Sequence, residues 1–161
     1  MIDEYFGFTD KEVRNLLEYY DRSECYDTMK EWYDGYQFGN VEVYCPWDVM
    51  NYCDALRADQ DAMPKDYWIN TSGNDAVRHF IRNGNHGATK REIERLVAGE
   101  SITKEIHPEL TYKDMYQNIE YMWSVLLTTG YLTQRGKLDG DFYHLAIPNI
   151  EIRRFFTKQI I

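Results

Sequence analysis

The residues able to do chemistry in this chain are few and scattered. Gly84-Asn85-His86-Gly87-Ala88-Thr89-Lys90 is the nearest thing to a phosphate cradle. A P-loop needs Gly-x-x-x-x-Gly-Lys-Ser/Thr between a strand and a helix, so that backbone N–H groups surround the phosphates and the Lys reaches the terminal ones. Here the spacing is wrong and no buried strand precedes it, so the stretch reads as a loop into a helix. No apolar run ends in the paired acids that hold magnesium in such enzymes. Asp34 and Asp75 are carboxylates without a neighbouring nucleophile or metal cluster, which favours capping over acid–base work. His79, His86, His107 and His144 lack paired ligand spacing, and no metal site is expected. Arg135, Lys137, Arg153, Arg154 and Lys158 outnumber Asp139, Asp141 and Glu151 near the C-terminus, a local +2 that could touch a DNA backbone.

Composition frames these candidates. The 161 residues carry a net charge of −9, and all of it falls in residues 1–60, with 14 Asp/Glu against 5 Lys/Arg. An acidic half repels a phosphate backbone, so nucleic acid is not expected there. The 43% hydrophobic content with 14 Tyr argues for a folded, aromatic-rich body. Cys25, Cys45 and Cys53 are odd in number and lack Cys-x-x-Cys spacing, which points to free thiols in a reducing cytoplasm. No apolar run approaches the roughly 20 residues of a membrane span, and Met-Ile-Asp-Glu is the reverse of a basic signal peptide.

The elements that must position these residues read as helix pairs alternating with brief β pieces. Thr9-x-x-Glu12 is a capping box opening a helix to about Asp21. Ser23 can cap a second helix through about Tyr33, with Tyr26, Met29 and Trp32 or Tyr33 on one face. Asp34-Gly35 supplies the helix exit, and Phe38-Gly39-Asn40 the turn between short strands Gly35–Phe38 and Val41–Tyr44. Pro46 starts a third helix to about Leu56, with Val49, Met50 and Cys53 facing the core. A polar connection, 57–65, follows. A fourth helix is expected over Asn74–Ile81, and a second capping box, Thr89-x-x-Glu92, opens a fifth ending at Gly99. Residues 101–106 alternate as a half-buried strand. Asp114–Thr129 has helical spacing, stopped by Gly130, before a hairpin of Tyr131–Arg135 with Phe142–Ile147 and a terminal helix from Pro148-Asn149. Helix, hairpin, helix is the pattern of a winged-helix-like module. The expected fold is mainly α with short β-hairpins, a helical lid-like bundle over 1–100 followed by a winged-helix-like module over 101–161.

Trp32-Tyr33-Asp34-Gly35-Tyr36, continuing to Tyr44-Cys45-Pro46-Trp47-Asp48-Val49, resembles the "WYDGY…F…YNPWSVLNYL" signature of the bacterial AAA-ATPase-like family. Tyr5-Phe6-Gly7-Phe8-Thr9, Tyr67-Trp68-Ile69-Asn70-Thr71-Ser72-Gly73-Asn74-Asp75 and Gly130-Tyr131-Leu132-Thr133 with Leu145-Ala146-Ile147-Pro148-Asn149 are similar to three further family stretches. The resemblance runs from Tyr5 to about Phe156, and Cys45 departs from it, since the family usually has a helix-capping Asn there. Longer members place a P-loop domain first and often a PD-(D/E)XK nuclease-like domain last.

The resemblance implies a cytoplasmic, non-catalytic regulatory segment, downstream of an ATPase core. ATP and Mg belong to the longer protein only, and this segment needs no cofactor. Residues 9–72 would be the lid that closes over nucleotide. Arg78 and Arg82 are the candidates for sensing its phosphates, although exposed helical Arg is most often solvated. Its partners would be a P-loop ATPase domain, in cis or in trans, and a C-terminal nuclease-like domain. For Trp32, Tyr33, Tyr36, Trp47 and Trp68 the preferred reading is packing around the hairpin. The alternative function is a stand-alone nucleic-acid-binding winged-helix module.

Overall fold

The computed structural model describes residues 7–71, 74–83, 87–111, 113–114 and 117–160. It is mainly helical with two small antiparallel sheets. Two compact units emerge, one of residues 1–71 with 149–151, the other of 72–148 with 152–161. Residues 72–100, placed with the lid-like part in the sequence, thus group with the later elements.

In the first unit, α1 (Asp10–Tyr19) begins at the expected capping box: the Thr9 hydroxyl accepts from the Glu12 amide, and Glu12 Oε1 accepts from the Thr9 amide at 2.9 Å. That satisfies two otherwise orphaned N–H groups at the helix start. Ser23 does not cap the next helix. It opens a single 3₁₀ turn (Ser23–Cys25), and α2 (Tyr26–Tyr33) follows with no side-chain cap. The chain leaves α2 through Gly35 at φ +100°, a left-handed conformation that a Cβ would strain. β1 (Tyr36–Phe38) and β2 (Val41–Val43) form the expected hairpin, with Tyr36 opposite Val43.

Pro46 is at the first position of α3 (Pro46–Ala58), and Cys45 makes no side-chain cap. Val49 and Cys53 face the core, but Met50 is 52% exposed, and Tyr52 and Leu56 take the inward positions instead. The buried stripe of α3 runs through Val49, Tyr52, Cys53 and Leu56 at spacings of three and four, and Met50 falls outside it. Val13, Leu17, Met29, Tyr33, Tyr44, Val49, Tyr52, Cys53 and Leu56 make the core of this unit. Each large apolar side chain buried in such a core contributes roughly 1.5–3 kcal/mol relative to exposure.

In the second unit, α4 (Asp75–Asn83) buries Val77, Phe80 and Ile81. α5 (Gly87–Val97) starts ahead of Thr89, so Thr89-x-x-Glu92 lies inside the helix and is not its capping box. β3 (Ile102–Glu105) pairs with β5 (Phe142–Ala146), which also pairs with β4 (Thr133–Lys137), giving the order β3-β5-β4. β4 lies two residues later than expected, because Tyr131 and Leu132 are spent as buried residues between helix and strand. A register shift between Gln134 and Lys137 follows, where the Gln134 side chain accepts from the Gly136 amide at 2.7 Å.

α6 (Tyr121–Thr128) is half the expected length. The Asn118 side chain accepts from the Glu120 amide at 3.0 Å, an Asx turn that diverts the backbone from helix just before Tyr121. Met115, counted in the expected helix, lies outside the described residues. α7 (Ile150–Ile160) ends the described chain.

Candidate functional site

The signature residues of the first unit converge on one buried, hydrogen-bonded knot. Tyr33, the last residue of α2, is fully buried, and its hydroxyl both donates to the Lys65 carbonyl (2.8 Å) and accepts from the Lys65 amide (3.0 Å). One phenol thereby fixes the connection after α3. Burial pushes the Tyr33 hydroxyl well above its ordinary range, so it remains protonated. Asp34 caps the C-terminal end of α2, and its carboxylate pairs with Lys30 Nζ at 2.9 Å. Its carbonyl accepts from Asn149 Nδ2 at 2.8 Å, which ties the hairpin exit to the Pro-Asn that precedes α7. Tyr36 is buried beside Asn149 as well, its hydroxyl raised by burial. Asp34 is therefore a capping and pairing group, as its lack of a nucleophile suggests.

A second knot closes the outer side of the same unit. Asp10 Oδ1 accepts from the hydroxyls of Tyr26 and Tyr44 (2.7 Å for Tyr44), and Oδ2 accepts from Arg14 Nε at 2.8 Å. Partial burial alone would raise the Asp10 carboxyl, but the two phenols and the guanidinium outweigh it and hold it down at about 2.

The remaining signature residues differ in exposure. Pro46 is exposed, and Trp47, next in α3, is 54% exposed, so it is not part of the packed hairpin core. Trp32 and Trp68 are half-buried, and Asn70 is exposed. Trp68 contributes its backbone N–H, which donates to Asp48 Oδ1 (2.9 Å) and Glu151 Oε2 (2.9 Å). Ser72 and Gly73 lie outside the described residues, and Asn74 is buried, its carbonyl accepting from the Arg78 amide at the start of α4.

The two phosphate-sensing candidates share a face. Arg78 and Arg82 line a shallow depression of about 400 Å³ on α4, together with Asp75, His79 and Asn83. Arg78 already has partners: Asp75 at 3.6 Å and the ring of Phe155, whose centroid is 5.7 Å from the guanidinium carbon. Asp75 is almost wholly exposed, and its pair with Arg78 is loose.

The four candidate DNA contacts occupy different elements. Arg135 and Lys137 are exposed on β4, with Lys137 Nζ 5.7 Å from the Tyr143 ring centroid. Leu138 and Phe142 are exposed at the same end of the hairpin, and Asp139 lies beside them, offsetting the Lys137 charge. Arg153 and Arg154 are exposed on α7, and the Arg153 guanidinium comes near Gly99, past the end of α5. Among the described residues no group of three or more His, Cys, Asp or Glu is placed to hold a metal, and Cys25, Cys45 and Cys53 are free thiols. No helix among them is long and apolar enough to cross a membrane.

Two residues of consequence are not among the sequence candidates. Asp48 sits inside the signature, and Glu151 reads in the sequence only as a charge opposing the basic patch, yet both are fully buried side by side in the first unit. The available signal was Glu151 itself, an acid between Ile150 and Ile152 right after a Pro-Asn helix start. Comparison with protein-family models, curated proteins and solved structures finds no match to this chain.

Proposed function

We propose that this chain is a non-catalytic regulatory segment of a P-loop AAA-ATPase-like protein. It consists of a helical lid followed by a winged-helix-like module, and it transmits the nucleotide state of an ATPase domain, supplied in cis or in trans, to a further domain. The support is the resemblance of the signature stretches, joined to one observation. Tyr33, Asp34, Gly35, Tyr36, Asp48 and Asn149 are buried, and the hydrogen bonds of Tyr33, Asp34, Asp48 and Asn149 go to backbone and side-chain groups of the same unit. A signature used in that way fixes a shape, whereas a catalytic signature must present its groups to a substrate. ATP and Mg are then ligands of the ATPase domain, and Arg78 and Arg82 are the cations of this chain suited to a phosphate.

The test pairs the purified chain with the P-loop domain encoded with it. The chain alone is expected to turn over no ATP, and its association with the P-loop domain should differ between ADP and a non-hydrolysable ATP analogue. ATP turnover by the isolated chain that disappears on substituting one of its own residues would overturn the proposal. The alternative, a nucleic-acid-binding winged module, is favoured only by the exposed Arg135 and Lys137 on the hairpin.

A further inference from the structure

Two carboxyl groups meet in the interior of the first unit, and among the described residues no Lys, Arg or His forms an ion pair with either. Asp48 is in the first turn of α3 and Glu151 in the first turn of α7, and both are 0% exposed. One amide serves both: the Trp68 N–H donates to Asp48 Oδ1 and to Glu151 Oε2, each at 2.9 Å. The Ile69 N–H adds a second donor to Glu151 Oε2 at 3.0 Å. The other oxygens, Asp48 Oδ2 and Glu151 Oε1, are buried and receive no N–H or O–H from the described residues.

Two ionised carboxylates converging on one amide in a buried interior repel strongly, and an orphaned buried oxygen adds a further cost. The two carboxyl groups are within hydrogen-bond reach of one another, and one proton shared by the pair removes the repulsion. Among the described residues, the titratable groups near the pair are the Cys45 thiol, which hydrogen-bonds to Asp48, the phenols of Tyr33, Tyr36 and Tyr67, and the Asp66 side chain, and none of these is a cation. The single negative charge left on a proton-sharing pair is well placed, with two amides and the N-terminal turns of two helices around it.

We propose that Asp48 and Glu151 share one proton and act as a proton-dependent latch, which fastens residues 149–151 and the Trp68-Ile69 turn onto α3. Burial, then the hydrogen bond and the charge of Asp48, raise the Glu151 carboxyl from 4.5 to about 10, and burial raises Asp48 in the same direction. The closed latch therefore binds a proton that the open one releases. Its stabilisation is fully present below the ordinary Glu value and is lost as pH rises toward the closed-state value. In that window one proton is linked to opening, so the opening constant grows about tenfold per pH unit.

The experiment follows hydrogen exchange at the Trp68 and Ile69 amides of the full chain between about pH 5 and pH 9, with the intrinsic pH dependence of exchange divided out. Infrared spectra at neutral pH accompany it. The wild type is expected to show a protonated-carboxyl band at neutral pH, and amide protection that falls about tenfold per pH unit. Glu151→Gln supplies a permanent N–H donor, so it should lose the band and make protection independent of pH. If Glu151→Gln does not fold, Asp48→Asn is read in the same way. A wild-type spectrum without the protonated-carboxyl band overturns the latch, whatever the variants do. So does a variant whose amide protection falls with pH as steeply as the wild type's.

Discussion

Asp10→Ala should be the most damaging single change on the outer side of the first unit, for reasons that can be worked through. The carboxylate receives two phenols and an exposed guanidinium, and a charge-assisted hydrogen bond from a phenol contributes about 1.5–3 kcal/mol when shielded from water. The Asp10 side chain is 42% exposed, however, so solvent screening reduces its electrostatic share to about 1 kcal/mol. The larger loss comes from the partners. Tyr44 is fully buried, and removing its acceptor strands a hydroxyl at a cost of about 1–3 kcal/mol. Together the substitution should cost about 2–4 kcal/mol, which lowers the melting temperature of a unit this size by roughly 8–30 °C. The pH dependence has a definite sign. The folded-state carboxyl is depressed from 3.8 to about 2, so its contribution is present above the unfolded value and is lost as pH falls through the folded one. Thermal unfolding of wild type and variant should therefore differ most near neutral pH, and the charge-dependent part of the gap should close toward about pH 2. A loss below about 0.5 kcal/mol at neutral pH, or a gap unchanged in acid, would refute the knot as a stabilising feature.

Gly7→Ala should destabilise by about 1–3 kcal/mol in chemical denaturation, because a Cβ there would lie 2.6 Å from the Tyr44 carbonyl and 2.7 Å from Val43 Cγ2. A neutral result would mean that the segment pairing Phe8 with Tyr44 shifts freely. Duplex DNA should bind no tighter than the non-specific range of roughly 10⁻⁴ to 10⁻⁶ M at physiological salt, with a shallow salt dependence, because few phosphates can be neutralised. Submicromolar binding in a fluorescence titration, abolished by charge reversal at Arg135 and Lys137, would replace the lid reading with the nucleic-acid module.

What was legible in the sequence is what local chemistry decides. Thr9-x-x-Glu12, Pro46 and the hairpin around Gly39 each contain their own structural reason within a few residues. The identical pattern at Thr89-x-x-Glu92 misleads, because a capping box requires a non-helical backbone at its first residue and α5 has already begun at Gly87. Asn118 misleads in the opposite sense: its side chain competes for the backbone and delays α6 within a stretch of sound helical spacing. The pairing of Asp48 with Glu151 was not legible, although the acid between Ile150 and Ile152 marked one of the two positions. Glu151 meets Trp68 across 83 positions, and no periodicity reports a contact of that range.

That separation also sets the order in which the first unit can be assembled. Residues 149–151 belong to it, yet they leave the ribosome long after α1, α2 and α3. Until they arrive, the Trp68 and Ile69 amides wait for a Glu151 acceptor, and Asp48 sits without the second carboxyl. Closing a loop that long costs more chain entropy than any contact within α1 to α3, though only logarithmically more. The N-terminal helices should thus reach a native-like but unfinished state during synthesis, whose last step is the return of the chain's far end. A fragment ending at residue 71 would stop at that step permanently.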